Sequence, residues 1–219
     1  GGELKKLGIV DPTILGPTAF TPGKVVAGPA LTLQFLPIRE DVYNQDEYSG
    51  PEQQLHRHAL YHTQPGDVIC VDARGNMKRG VFGNMMLTFF QGRGGQGVVI
   101  DGCIRDFPIV KRDLDLGLWL RGVTPNFHTQ TAIYPYAVNV PIGMNDTLVM
   151  PGDIIVADDD GVVAVPAKLG AELLDLSSEH AEWEEFSRQR LLAGGHLKRY
   201  YPLSDEARPE YEEWKKTQE

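Results

Sequence analysis

The stretch GQGVVIDGCIRD (residues 95–106) decides the fold, because a glycine-rich turn leads into an apolar run that ends on two charged residues. The run at residues 98–101 (VVID) is short and β-branched, which is typical of a buried strand. Upstream of it, residues 82–91 have helical spacing and open at Gly83-Asn84. A second apolar strand, VICVDA (68–73), precedes that helix. A strand, helix, strand unit implies a crossover connection and a parallel pair of strands.

The segments on either side of this unit predict a layered fold. Residues 24–35 are β-branched and apolar, and Gly28-Pro29 predicts a bulge or an edge kink in that strand. A proline-initiated helix is expected at residues 51–63, and a short one from Pro108 to Gly117. Further short strands are predicted at 118–121, 132–140, 147–150, 153–157 and 162–165. Because helices stop alternating with strands after residue 118, we expect an α/β fold with a mixed sheet rather than a doubly wound one.

The last quarter of the chain changes character. Apolar residues recur at helical spacing from residue 168 to about 193, and Gly194-Gly195 ends the pattern. A last helix is predicted at residues 209–216. We therefore divide the chain into an α/β domain at residues 1–166 and a C-terminal helical extension at 167–219, which packs on the same domain or on a neighbouring subunit.

Composition excludes some classes of function. The formal net charge of −9 would repel a phosphate backbone, and the basic residues are scattered, so we do not expect nucleic-acid binding. Cys70 and Cys103 lie in apolar runs, which favours buried free thiols and a reducing compartment. No apolar run is long enough to span a bilayer and the start lacks an apolar signal core, so we expect a cytoplasmic protein without a membrane partner.

The first candidate site is the pair Arg105-Asp106. It directly follows a predicted buried strand, and α/β proteins commonly place ligand sites at strand ends. The alternative is a surface turn in which Asp106 caps the helix near Pro108 and Arg105 pairs with a neighbouring carboxylate.

The second candidate is the helix start formed by Gly83, Asn84, Met85 and Met86. Unpaired backbone N–H groups and the positive end of the helix dipole favour a bound carboxylate there. Gly83 would let an anion approach the backbone closely, although a glycine before a helix can also be only a turn residue.

Other candidate motifs carry less weight. His56, His58 and His62 have metal-ligand spacing, but no nearby carboxylate or cysteine completes a site, so we expect them to face solvent. The run Asp158-Asp159-Asp160-Gly161 is too short for a calcium loop and predicts a tight turn. No nucleophile elbow occurs and the lysines lie in polar, turn or chain-end contexts, which leaves metal-assisted chemistry as the better class.

Several segments taken together resemble a known family. They are AGPALT (27–32), PGDVICVDARG (65–75), GNMM (83–86), GQGVVIDGCIRD (95–106), RGVTP (121–125) and PGDIIVADDDGVVAVP (151–166). In this order they resemble the RraA-like family, which contains the regulator of ribonuclease activity A and the 4-hydroxy-4-methyl-2-oxoglutarate aldolases. The segment at 188–203 (RQRLLAGGHLKRYYPL) is similar to the tail of the aldolase members.

The resemblance implies a fold and a set of site residues. The fold is like the swivelling domain of phosphohistidine proteins, assembled as a homotrimer or as a homohexamer built from two trimers, with active sites between subunits. Asp106 matches the aspartate that holds Mg²⁺ or Mn²⁺, partly through waters. Arg105 matches the arginine that contacts the 2-oxo acid, and the amides of Gly83 to Met86 match the site of its carboxylate. A neighbouring subunit contributes an acidic residue, for which Glu179 and Glu182 are the candidates.

The function expected from the resemblance is that of a divalent-metal lyase. It cleaves a 4-hydroxy-2-oxo acid to pyruvate, and oxaloacetate decarboxylation accompanies it because both reactions form the same enolate. Asn84 stands where relatives often have an acidic residue or glycine, and the polar stretch 42–48 is longer than expected, so the substrate can differ from the usual one. The alternatives are a non-catalytic regulator that binds a ribonuclease or helicase, and a lyase or hydratase acting on another metal-chelated acid.

Overall fold

The computed structural model describes residues 1–41, 50–127 and 132–218, and the polar stretch 42–48 lies outside them. The chain divides into two compact units, Gly1–Ala167 and Lys168–Glu219. The first unit holds every named strand and the second is helical.

The strands of the first unit are short except for two. They are β1 (Thr18–Ala19), β2 (Val26–Pro37), β3 (Val68–Gly80), β4 (Gly97–Ile104), β5 (Gly117–Val123), β6 (Ile133–Val138), β7 (Ile142–Met144), β8 (Thr147–Val149), β9 (Ile154–Asp158) and β10 (Gly161–Val165). Its helices are α1 (Gly2–Lys6), α2 (Leu55–Tyr61), α3 (Asn84–Gly92) and α4 (Phe107–Asp113), with one 3-10 turn at Pro51–Gln53 and another at Ala167–Leu169.

The sheet is mixed, as the sequence predicted. Among the described residues, eight strands form one sheet in the order β1-β5-β4-β3-β2-β9-β10, with β6 paired to β2, while β7 and β8 form a separate hairpin. Strands β2, β3, β4 and β5 are parallel neighbours. Strands β1, β6, β9 and β10 pair antiparallel at the flanks. The predicted crossover from β3 through α3 to β4 is confirmed by the register Val71 to Ile100.

The predicted bulge at Gly28-Pro29 is wrong, and the predicted edge kink stays a prediction. Strand β2 continues through both residues, and its register shift against β6 falls between Gln34 and Phe35. What changes near Pro29 is the partner, because Val26 to Pro29 pair with β9 and Ala30 onward pairs with β3. A Cβ on Gly28 would lie 2.0 Å from the carbonyl oxygen of Gly66, so the glycine is required by a close backbone approach.

The sheet has an apolar core on each face. Leu87 and Phe90 of α3 and Val110 of α4 pack on one face, against strand residues that include Ile100. Trp119 packs on the other face, in a cluster with Cys70, Val99, Met144 and Val149. Helices α2, α3 and α4 therefore pack on one side of the sheet. The two predicted site segments lie at the starts of α3 and α4.

Both cysteines are buried free thiols, as predicted. Burial raises the pKa of Cys103 to about 11, and burial also raises the pKa of Cys70. Neither thiol is therefore a reactive thiolate near neutral pH.

The second unit consists of α5 (Gly170–Leu192), α6 (Leu197–Tyr200) and α7 (Arg208–Lys215). Its core is aromatic and contains Phe186, Tyr200, Ala207 and Tyr211. The predicted long helix and last helix are thus present, with ends that differ from the expected ones by a few residues. Within the described residues, no helix combines the length and apolar character needed to cross a membrane.

Candidate active site

Two chain segments that are distant in sequence meet at the end of β4. The backbone N–H of Val81 donates to the carbonyl of Cys103 (2.9 Å), and the N–H of Arg105 donates to the carbonyl of Phe82 (3.0 Å). These bonds align the residues before α3 with the residues after β4. They bring Gly83 next to Arg105 and Asp106, so the two segments predicted separately from the sequence lie side by side.

Asp106 adopts a left-handed backbone conformation, with φ of 60° and ψ of 21°. This region is costly for most residues, although aspartate tolerates it better than most. Its side chain makes no capping bond to α4; the backbone carbonyl of Asp106 instead accepts from Val110 N–H (3.1 Å). The alternative reading, in which the carboxylate caps the helix that follows, is therefore wrong.

The Asp106 carboxylate points to the start of the other helix. Its Oδ2 accepts from the backbone N–H of Asn84, the first residue of α3, at 3.1 Å. The conformation at Asp106 thus turns the carboxylate away from α4 and toward the positive end of the α3 dipole. Strained backbone of this kind is often found at functional sites.

Arg105 completes the cluster. Its Nε lies 3.7 Å from Asp106 Oδ2, and the side chains of Arg105 and Asp106 remain 41% and 34% exposed. Arg105 therefore pairs with a neighbouring carboxylate, which the surface-turn alternative predicted. The pair is open to solvent, so it contributes little to stability. Both groups remain accessible to a ligand.

Gly83 lines the cluster without a side chain. A Cβ there would lie 2.7 Å from Asp106 Oδ2 and 2.8 Å from Arg105 Nε. The backbone φ of Gly83 is −118°, which other residues adopt, so the glycine serves close approach rather than an unusual conformation. Any side chain at Gly83 would therefore crowd the Arg105-Asp106 pair.

The start of α3 retains further donors. The N–H of Leu87 bonds to the carbonyl of Gly83 (3.1 Å), which closes the first turn of the helix. The N–H groups of Asn84, Met85 and Met86 precede that bond and have no partner within the helix. The N–H of Asn84 donates to Asp106, whereas those of Met85 and Met86 could donate to an anion.

The chemistry of the donors fits a Mg²⁺ or Mn²⁺ ion held mainly by oxygens from outside the chain. Among the described residues, no group of three or more His, Cys, Asp or Glu side chains could hold a metal. The Asp106 carboxylate could contribute one oxygen ligand to such an ion. Mg²⁺ accepts such a site, because it keeps several waters and needs only one or two carboxylates when a substrate also chelates it.

The other sequence candidates lie elsewhere. The expectation that the three histidines face solvent is wrong for His56, which is buried; His62 is exposed, and His58 Nε2 lies 2.6 Å from the carbonyl oxygen of Glu52. Packing of α2 on the sheet explains the difference, since His56 shares a helix with buried Ala59 and Leu60. Residues 158–161 form the predicted tight turn, between β9 and β10.

Glu179 and Glu182 belong to α5 in the helical unit. The Tyr211 hydroxyl donates to Glu182 Oε1 (2.5 Å), and Lys215 Nζ lies 2.9 Å from the same oxygen. The hydrogen bond from Tyr211 and, to a smaller extent, the one from Lys215 lower the pKa of Glu182. Glu182 is thus bonded within its own unit, and the proposed role of either glutamate at a neighbouring site stays a prediction.

Sequence reasoning missed a buried acidic pair, Asp72 and Asp101. The Asp101 carboxylate accepts from Gly75 N–H (3.0 Å) and from Arg121 Nε, and Asp72 accepts from Arg74 N–H (3.1 Å). Burial is the main cause that raises the pKa of Asp72. The alternation of side chains along a strand could have revealed the pair, because it puts Asp72 and Asp101 on the sheet face opposite to α3 and α4.

A family model described as "Aldolase/RraA", within the RraA-like group, matches residues 5–164. A protein of Halalkalibacterium halodurans with the provisional name 4-hydroxy-4-methyl-2-oxoglutarate aldolase is 39% identical over 108 residues, which are 49% of this chain and 50% of that relative. The match thus spans about half the length of the curated relative.

Solved structures show the same fold. The chain is 43% identical to Streptomyces coelicolor RraAS2, described as an unusual member of the RNase ES inhibitor RraA protein family, with a TM-score of 0.78 over 86% of this chain and 90% of that one. An uncharacterized protein of Pseudomonas syringae pv. tomato is 26% identical, with a TM-score of 0.80 over 93% of this chain and 87% of that one.

Proposed function

The chain belongs to the RraA-like family of aldolase and RraA proteins, and from this membership and the site geometry we propose that it is a divalent-metal-dependent carbon–carbon lyase. It cleaves a 4-hydroxy-2-oxo acid to pyruvate and a second carbonyl compound, and it decarboxylates oxaloacetate as a side activity. The observation that carries the proposal is the cluster of Arg105, Asp106 and the α3 amides around Gly83.

The chain's own groups suit the binding of a 2-oxo acid. The N–H groups of Met85 and Met86 and the dipole of α3 would bind the carboxylate. The guanidinium of Arg105 is planar and carries several donors, so it would hold the 2-oxo oxygen in one orientation. Gly83 leaves room for these contacts.

The proposed reaction is a retro-aldol cleavage. The C3–C4 bond breaks, the hydroxyl on C4 loses its proton to become a carbonyl, and the bonding electrons form the enolate of pyruvate, which then takes up a proton at C3. Arg105 would stabilise the growing negative charge on the 2-oxo oxygen, by roughly several kcal/mol once a neighbouring subunit excludes water from the site. Asp106 would hold a Mg²⁺ or Mn²⁺ ion, which when bound supplies Lewis-acid stabilisation of the same oxygen.

The proposal includes an oligomer. The exposure of Arg105 and Asp106 on one chain leaves a side of the site open. A trimer, or a dimer of trimers, would cover that side, and Glu179 or Glu182 of a neighbouring subunit would supply an acid. The partners of the protein would then be its own copies and a small 2-oxo acid.

Pyruvate release from oxaloacetate tests the proposed function. With added Mg²⁺ we expect turnover well above the rate of a protein-free control that contains the same metal. Chelation by EDTA should lower the rate to that of a protein-free blank containing the same EDTA, because Asp106 alone cannot polarise the oxo acid, and excess Mg²⁺ should restore it. The coupled lactate dehydrogenase assay measures this directly. An absence of turnover, or turnover that EDTA leaves unchanged, would refute the metal-lyase proposal.

A second candidate function is a non-catalytic regulator that binds a ribonuclease or helicase. It is favoured by one observation, the 43% identity to RraAS2, which is described as a member of an RNase inhibitor family. This candidate predicts no oxaloacetate turnover and a stoichiometric complex with a ribonuclease. The aldolase proposal predicts turnover by the purified protein with Mg²⁺ and no partner protein, so the same assay separates the two.

A further inference from the structure

The polar end of β3 departs from the regular sheet. Between Val71 and Gly80 the strand advances nine residues, while its partner β4 advances three, from Ile100 to Cys103. Two register shifts interrupt the pairing within this stretch. We call residues 73–82 the β3 extension. The regular ladder of the sheet alone cannot fix its position.

The far end of the β3 extension lies against the candidate site. The backbone N–H of Arg105 donates to the carbonyl of Phe82 (3.0 Å), and a Cβ on Gly80 would lie 2.7 Å from the same nitrogen. Gly83 and the first turn of α3 come next in the chain. The position of the extension therefore decides where the amides of α3 lie relative to Arg105.

Asp101 anchors the beginning of the extension. Its carboxylate is buried, and Oδ2 accepts from the backbone N–H of Gly75 at 3.0 Å while Oδ1 accepts from Arg121 Nε. Hydrogen bonds to an ionised group are about twice as strong as those between neutral groups. Asp101 belongs to β4, the strand that ends just before Arg105. The bond to Gly75 thus ties the extension to the strand that leads into the site.

Arg121 holds the Asp101 carboxylate in one orientation. Its Nη2 donates to Asn145 Oδ1 at 2.9 Å. A Cβ on Gly16 would lie 2.5 Å from the same nitrogen, so the guanidinium packs closely on backbone there. Arg121 is therefore held by neighbours other than Asp101, and the carboxylate that it pairs with is kept in place.

The Cys103 thiol is a second anchor. Its Sγ lies 3.2 Å from the carbonyl oxygen of Arg79 and 3.6 Å from that of Asn76, both within the extension. Burial raises the pKa of this thiol to about 11, so it stays protonated near neutral pH and donates to these carbonyls. Cys103 thus holds the middle of the extension, whereas Asp101 holds its beginning.

We propose that Asp101 and Cys103 are positioning residues for the candidate site: they hold the β3 extension where it sets Gly83 and the α3 amides against Arg105. This inference rests on the proposed function and gives neither side chain a direct part in the reaction. Misplacing catalytic groups by about 1 Å can cost about a hundredfold in rate, so loosening either anchor should slow turnover.

Asp101→Asn tests the first anchor. Asparagine can still accept a hydrogen bond, but it cannot pair with the charge of Arg121. With Mg²⁺ present, kcat/KM for oxaloacetate should fall about tenfold or more. Hydrogen exchange, followed by mass spectrometry, should become about tenfold faster in the peptides that contain Val81 and Arg105, because the bonds that these two amides make depend on the extension.

Asp153→Asn is the matched control. Asp153 is 8% exposed, compared with 4% for Asp101, and its carboxylate accepts from the backbone N–H of Met150 at 2.8 Å, in the turn before β9. Both substitutions should lower the melting temperature. Only Asp101→Asn should change kcat/KM and the exchange at Val81 and Arg105, so the comparison separates positioning from general loss of stability.

A pair of substitutions at Cys103 tests the second anchor, and it keeps the inference testable if Asp101→Asn does not fold. Cys103→Ala removes the donor, and Cys103→Ser keeps one. We expect kcat/KM to fall about fivefold in the alanine variant, the scale of losing one hydrogen bond. The serine variant should recover most of this loss.

Three results would overturn the inference. The first is unchanged kcat/KM and unchanged exchange in both Asp101→Asn and Cys103→Ala. The second is an equal loss in Asp153→Asn, and the third is a serine variant at Cys103 as impaired as the alanine variant. If the unmodified protein does not turn over oxaloacetate, the proposed function fails, whereas the exchange comparison still decides whether Asp101 and Cys103 hold these segments.

Discussion

Replacing Asp106 with asparagine is expected to lower kcat for pyruvate release from oxaloacetate by about a thousandfold or more, the scale of losing a metal anchor. Asparagine keeps the shape of the side chain and tolerates the left-handed backbone at this position. The melting temperature should change little, because the half-exposed carboxylate accepts one backbone hydrogen bond, which contributes about 1 kcal/mol.

Asp159 provides the matched control for this substitution. Its carboxylate also accepts a backbone N–H, that of Gly23, at 2.9 Å, but it lies in the turn between β9 and β10. Asp159→Asn should leave turnover unchanged. Activity of Asp106→Asn within tenfold of the unmodified protein would show that the carboxylate does not anchor the metal. A large loss of thermal stability would instead indicate a structural role.

Replacing Gly83 with alanine is expected to lower kcat/KM about a hundredfold, the cost of misplacing catalytic groups by about 1 Å. The added Cβ would lie 2.7 Å from Asp106 Oδ2 and 2.8 Å from Arg105 Nε, so both side chains must move. The backbone at Gly83 accepts alanine without a left-handed conformation, and the protein should still fold.

Gly92→Ala is the control for Gly83→Ala, because Gly92 ends the same helix and its Cβ would meet nothing within 4 Å. This variant should retain full activity. Steady-state kinetics on oxaloacetate and a thermal melt of each variant provide the comparison. If Gly83→Ala and Gly92→Ala have equal kcat/KM, the close approach of Arg105 and Asp106 to Gly83 does not affect catalysis.

The sequence was sufficient to predict the central unit of the fold. The apolar run at 98–101, the helix opening at Gly83-Asn84 and the strand at 68–73 are local signals, and a parallel crossover follows from them. Their order also predicted that Arg105-Asp106 follows a strand and that Gly83 begins a helix. Both statements hold in the structure, and the mixed sheet is confirmed as well.

The relation between the two site segments could not be predicted from local patterns. The left-handed conformation of Asp106 turns its carboxylate to Asn84, whereas capping statistics favour a bond to the following helix. The bonds that align Val81 with Cys103 and Phe82 with Arg105 join segments more than twenty residues apart. Only tertiary pairing fixes this arrangement.

Other errors also have tertiary causes. Strand β3 was predicted as residues 68–73 but continues to Gly80, with two register shifts against β4. Its polar end, ARGNMKRG (73–80), has no strand pattern. The backbone N–H groups of Arg74 and Gly75 in this segment donate to the buried carboxylates of Asp72 and Asp101. The short strand β7 at Ile142–Met144 was missed because three residues carry too little periodicity.

The most direct test of the central claim is a crystal structure of the protein grown with Mg²⁺ and oxalate, a planar mimic of the pyruvate enolate. The account predicts electron density for the ion beside Asp106 and an oxalate carboxylate about 3 Å from the amide nitrogens of Met85 and Met86. It would be contradicted by crystals in which Asp106 bonds only to Asn84 and neither ion nor oxalate occupies the start of α3.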